Sequence, residues 1–147
     1  MTDIQKKRQS AMGVCARATA EEIAAALDRI GRPETANELR APEAGLVMAR
    51  ARMGGNGAPF NVGEVSVTRA AVRLASGETG IAYQLGRDSK KARDAALLDA
   101  LLQTGRAAEV EAALAPIRTR IQEDQNLKAR RAAATKVDFF TMVRGED

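Results

Sequence analysis

The sequence predicts an α+β domain, with an antiparallel sheet of about four strands flanked by helices and an extended C-terminal arm. Three observations carry that expectation. Apolar residues recur at three- and four-residue spacing at both ends of the chain, and the period falls to two between about residues 34 and 86. Short Gly- and Pro-rich clusters separate the alternating runs, and short connections favour antiparallel neighbours.

The elements follow in order. Residues 4–14 and 19–30 read as helices. In the second, Thr19 is placed to cap, Glu21 and Glu22 suit the positive helix start, and Ile23, Ala26, Leu27 and Ile30 form one apolar stripe. Gly31 and Pro33 end it. A weak strand is expected at residues 35–40 and a clearer one at 46–53. In the latter, Val47, Ala49, Ala51 and Met53 share one face, and Met48, Arg50 and Arg52 share the other. The cluster Gly54-Gly-Asn-Gly-Ala-Pro59 turns the chain into residues 60–74, read as one long strand or two shorter ones. Val65 and Val67 lie on one side and Val72 and Leu74 on the other, so a bend or bulge is expected near Arg69 and Ala70. Ser76, Gly77 and Glu78 turn again, and Ile81, Tyr83 and Leu85 alternate in a final strand.

Asp88 or Ser89 then caps a helix running to about Gln103, and Gly105 ends it. A further helix starts near Ala107, with Val110, Leu114, Ile117 and Ile121 on one stripe. Pro116 interrupts it or opens a new helix. Past Ile121 the pattern is polar, a solvated helix that delivers the tail. Residues 1–135 are therefore expected to form one domain and 136–147 an apolar arm.

Composition points towards a partner. Of the 66 hydrophobic residues, 30 are Ala, and Leu, Ile, Val and Phe together number only 29. Ala removes little apolar surface from water, so burial against another chain is a natural supplement to a lean core. The charge is +4, carried by 17 Arg against 6 Lys, a bias that a GC-rich genome also produces. No stretch approaches the ~20 apolar residues of a membrane span. The first 17 residues carry Lys6, Lys7 and Arg8 without the apolar run of a secretion signal, so a cytoplasmic location is expected.

The same composition narrows the chemistry. With no His, the chain has no Ser-His-Asp or Cys-His nucleophile pair and no His-ligated zinc. The single Cys15 cannot hold an iron–sulfur cluster, and a structural thiol is expected there. No metal site and no catalytic residue is assigned. Chemistry in this chain would fall to carboxylates, Arg or Lys.

Three features remain as candidate sites. Arg50 and Arg52 share a strand face, as do Arg69 and Arg73. Gathered on one surface, they would suit a phosphate, phosphonate or triphosphate, or an acidic patch on a partner; an ordinary solvated face has the same pattern. Gly54 and Gly55 would expose backbone N–H groups to an anion, although spacing alone favours a simple hairpin loop, because no Walker or dinucleotide pattern is present. The tail is nearly half apolar, with Val137, Phe139, Phe140, Met142 and Val143. It either folds back on its own domain or docks into another subunit, and the polar helix before it favours docking.

Several blocks resemble the PhnG subunit family of carbon–phosphorus lyase. They are Glu43-Ala-Gly-Leu-Val, Ala51-Arg-Met-Gly-Gly-Asn-Gly, Gly63-Glu-Val-Ser-Val-Thr-Arg-Ala-Ala-Val-Arg-Leu, Gly86-Arg-Asp and Val137-Asp-Phe-Phe-Thr-Met-Val-Arg-Gly. They span residues 43–145 in one order. The resemblance implies a subunit of a cytoplasmic complex with PhnH, PhnI and PhnJ. In that family an alkylphosphonate is joined to ribose C1 of the co-substrate ATP with release of adenine. A later radical step uses S-adenosylmethionine and an iron–sulfur cluster in a partner subunit, so no cofactor is expected in this chain. The family supplies no catalytic residue to carry over.

Two rival readings stand beside it. The pI of 9.6 fits a nucleic-acid-binding module, but three Phe, one Tyr and no Trp leave few stacking platforms. A stand-alone transferase would need carboxylate chemistry.

Overall fold

A computed structural model describes residues 2–136. Four helices and three strands follow in the order α1 (Asp3–Arg17), α2 (Ala20–Ile30), β1 (Ala36–Arg52), β2 (Pro59–Leu74), β3 (Thr79–Leu85), α3 (Ser89–Leu101) and α4 (Ala107–Ala134). The sheet is an antiparallel meander, β1-β2-β3, with all helices on one side. The α+β class is as predicted, but the strands number three rather than about four. The runs expected at 35–40 and 46–53 are one continuous strand, because the chain crosses Pro42 without a turn. Register shifts between Glu38 and Arg40 and between Arg40 and Glu43 absorb the missing proline N–H at an irregular edge. The bend expected in β2 near Arg69 and Ala70 is absent: β2 pairs with β3 without a shift from Val67 to Arg73, the extra residues lie on β1 between Arg40 and Glu43, and Val65 and Val67 stay on the side opposite Val72 and Leu74.

Local capping chemistry sets the helix limits. Thr2 with Gln5, and Thr19 with Glu22, form capping boxes that satisfy the first free N–H groups of α1 and α2. Gly31, at φ +92°, closes α2. Asp88 caps α3 by accepting from the Lys91 amide at 2.8 Å. Pro116 lies inside α4 and does not interrupt it. Ala113, Leu114, Ile117 and Ile121 are buried on both sides of the proline, and tertiary packing holds the helix across it. Beyond Ile121 every described residue of α4 is exposed, as expected for a solvated stalk.

The core lies between the helices and one half of the sheet. Its large members include Ile23, Leu27, Val72, Leu98, Leu102 and Leu114, with Ala70, Ala82, Ala96 and Ala100 filling the close approach of α3 to the strands. Gly80 makes that approach possible. A Cβ there would lie 1.9 Å from the Ala96 carbonyl oxygen. Two carboxylates of α3 are buried and each is gripped by an arginine fork. Arg8 donates to both oxygens of Asp99 at 2.9 and 2.7 Å, and Arg32 to both of Asp94 at 2.9 and 3.2 Å. Asp99 also accepts the Ile81 N–H at 2.9 Å, so α3 ties off part of the β3 edge. Cys15 is fully buried, the structural position expected for it, and burial pushes its thiol up to about 12. No described helix is long and apolar enough to cross a membrane.

Candidate functional site: a two-faced β-ribbon

Strand β3 pairs with β2 only from Val67 to Arg73, whereas β1 pairs with β2 out to Arg52 and Pro59. Beyond Gly45 and Val67, β1 and β2 therefore run on as a two-stranded ribbon. Eight residues of β1, 45–52, give it a length of roughly 25 Å at ~3.3 Å per residue. Between residues 44 and 63 the only charged side chains are Arg50 and Arg52.

The register separates two faces. Inward-pointing Thr68, Ala70, Val72 and Leu74 define the helix side, and the same parity carries Leu46, Met48, Arg50 and Arg52 along β1. The outer side carries Val47, Ala49 and Ala51 opposite Val65, Gly63 and Phe60, with one extra residue, Val62, bulged out of β2 near Arg50. Where β3 joins, the outer side continues with Val67 and Leu85, Arg69 and Tyr83, and Ala71 and Ile81 as neighbouring pairs.

The four arginines singled out from the sequence are therefore not brought together. Arg69 pairs across from Glu43, seven residues or roughly 23 Å along β1 from Arg50, and on the opposite face. Arg73 lies further away still, opposite Asn37. Arg69 donates to Glu43 at 2.8 Å, and Arg40 pairs with the same carboxylate at 3.3 Å. Arg73 donates to the Thr79 hydroxyl at 3.3 Å, and Arg52 to the Gly57 carbonyl at 3.2 Å. Arg50 makes no ion pair or hydrogen bond among the described residues. At the ribbon tip, Gly54 and Gly55 take φ of +59° and +82°, where a Cβ is disfavoured, and the Gly57 N–H closes the turn on the Met53 carbonyl at 2.9 Å. Arg50, Arg52, Gly54 and Gly55 thus share one end of the molecule, with Arg69 and Arg73 elsewhere. The tail residues Val137, Phe139, Phe140, Met142 and Val143 lie outside the described residues.

No group of three or more acidic or Cys side chains among the described residues is placed to hold a metal ion. A cleft of about 440 Å³ opens between α1 and α4, lined by Lys6, Arg17 and Arg118 among others. Its Arg118 is already committed to Ser10 and Glu111.

A family profile described as "Phosphonate metabolism protein PhnG" matches residues 6–145. The chain belongs to the PhnG family. It is 49% identical over 143 residues to the alpha-D-ribose 1-methylphosphonate 5-triphosphate synthase subunit PhnG of Rhizobium meliloti (strain 1021), covering 96% of this chain and 91% of that protein. The resemblance carried by separated blocks in residues 43–145 thus extends over nearly the whole chain, the first helices included.

The sequence reading did not single out the outer sheet face. Ile81, Tyr83 and Leu85 were legible as one side of a strand, and the structure turns that side away from the helices. The signal available was Gly80, Ala82 and Gln84 on the alternate side. Two small residues there mark where a helix can approach closely.

Proposed function

We propose that this PhnG-family chain is a subunit of an alpha-D-ribose 1-methylphosphonate 5-triphosphate synthase and acts only within that assembly. The observation that carries the reading is the 49% identity, spread over 96% of the chain, to a protein named as such a subunit. In the reaction so assigned, a phosphonate oxygen forms a bond to ribose C1 of ATP while the bond to adenine breaks. The bond-making groups reside in partner chains, PhnH and PhnI, and the iron–sulfur cluster and S-adenosylmethionine of the later carbon–phosphorus cleavage belong to PhnJ.

The buried carboxylates of this chain support a non-catalytic role. Asp94 and Asp99 are buried and each held by an arginine fork; Asp99 reaches a small cleft beside α1, but its oxygens are already taken by Arg8 and the Ile81 N–H. The ribbon tip is the part of the chain best suited to an anionic substrate. Arg50 and Arg52 project from one face beside the open turn at Gly54 and Gly55, and a guanidinium fork matches phosphonate or phosphate oxygens. Arg69 and Arg73 would act at a second location, shaping the field of the sheet face. The C-terminal arm, through Val137, Phe139, Phe140, Met142 and Val143, docks into a neighbouring subunit at the end of the exposed α4 stalk.

Coexpression with PhnH, PhnI and PhnJ tests the reading. The full chain copurifies and the complex releases adenine from ATP in the presence of phosphonate, while truncation after Thr135 weakens copurification. Arg52→Gln raises the substrate requirement with assembly intact. A full-length chain that stays a folded monomer and ignores all three partners would sink the proposal.

A further inference from the structure

Neither the fold nor the arginine tip explains the outer face of the sheet. Ile81, Tyr83 and Leu85 stand on it in a row, with Tyr83 58% and Leu85 67% exposed. The row continues past Val67, which is itself buried, through Val65 and Val47 to Phe60 near the ribbon tip. No described element covers it, since α1 and α3, the helices that touch the sheet, lie on the other side. Water is a poor environment for this surface, and a two-stranded ribbon without a third layer is marginal by itself.

We infer that this outer face, from Leu85 to Phe60, is the docking surface for a different subunit of the synthase, which rests on the functional reading above. The partner presents an apolar surface over the valines and Tyr83, bordered by carboxylates that meet Arg69 and Arg73. Charge decides against a second copy of this chain. Along the strands this face carries Arg40, Arg69 and Arg73 and a single carboxylate, Glu43, already shared by Arg69 and Arg40. Two identical outer faces laid together would set these arginines against one another with no free carboxylate to compensate them. The pairing of Glu43 with Arg69 and Arg40 offsets part of the positive charge in the middle of the face, which lowers the cost of covering it. Docking by this face leaves the opposite face, with Arg50 and Arg52, open towards substrate.

The experiment compares faces of the same ribbon in the coexpressed complex. Val65→Lys and Tyr83→Lys alter the outer face, and Leu46→Lys and Met48→Lys alter the helix-side face at comparable exposure. Far-ultraviolet circular dichroism confirms that each variant is folded. The expected result is at least a tenfold loss of copurified partner for the outer-face pair and near wild-type recovery for the control pair. Hydroxyl-radical footprinting of the unmodified complex gives a second readout that needs no variant, with oxidation of Tyr83 and Phe60 falling severalfold on assembly. Wild-type recovery of Val65→Lys and Tyr83→Lys, or full oxidation of Tyr83 in the complex, overturns the docking surface alone. A dimer of the isolated chain that Tyr83→Lys abolishes assigns the face to a second copy and overturns it too. If the wild-type chain captures no partner, the synthase reading falls first and this inference with it.

Discussion

Replacing Gly80 by alanine probes the closest approach in the fold. A Cβ at this position lies 1.9 Å from the Ala96 carbonyl oxygen, 2.5 Å from the Ala100 amide nitrogen and 2.9 Å from the Ala100 Cβ. Two of the three obstacles are backbone atoms of α3, so no side-chain rotation relieves them. Restoring ordinary contact at about 3.4 Å requires α3 to lift from β3 by roughly 1.5 Å. That lift opens the layer in which Ala82, Ala96, Ala100 and Val72 are fully buried. It also pulls on the Asp99 carboxylate, which holds the Ile81 amide at 2.9 Å. Overpacking of a rigid core costs about 1–3 kcal/mol, and the backbone obstacle places Gly80→Ala at the upper end, about 3 kcal/mol. With a slope of ~2 kcal/mol per molar in urea, the unfolding midpoint falls by about 1.5 M. Gly45→Ala is the control. It has nothing within 4 Å, and its change stays within about 0.5 kcal/mol. A Gly80→Ala midpoint equal to that control would refute the close-packing account of the α3–sheet layer.

Three further outcomes follow from buried or capped groups. Cys15, its thiol pushed up to about 12 by burial, stays unlabelled by Ellman's reagent at pH 8 in the native chain and reacts at once in urea; rapid native labelling would place it at the surface. The Glu22 carboxyl is held below its usual range, first by hydrogen bonds from Arg120 at 2.6 and 2.8 Å and, against a desolvation cost, by the Thr19 amide. A depressed carboxylate contributes stability above its unfolded value of about 4.3 that is lost as pH falls through the lower folded value, so Glu22→Gln flattens the acid limb of a stability-versus-pH curve; an unchanged limb would show that other carboxylates dominate it. Gln84 is buried on the helix side of β3, and its side-chain carbonyl has no hydrogen-bond partner among the described residues. Gln84→Met removes that acceptor at similar volume and raises stability by about 1 kcal/mol in urea unfolding, whereas a loss would reveal a partner for the amide.

Where local chemistry decides, the sequence was enough. Thr19, Gly31 and Asp88 mark helix ends because capping depends on residues within one turn, and all three act where expected. Family membership was legible because its blocks are contiguous runs. Strand count was not, since Pro42 reads as a breaker unless the bulges that accommodate it are known, and bulges depend on the partner strand. The separation of Arg50 and Arg52 from Arg69 and Arg73 is likewise a matter of register, set by β1–β2 pairings that reach from Arg52 with Pro59 to Arg73 with Asn37. The alternation of Ile81, Tyr83 and Leu85 fixes a period of two but not a direction. Only the tertiary structure chooses it, because Gly80 and Ala82 let α3 come close where larger side chains would hold it off, and the large residues are left facing outwards.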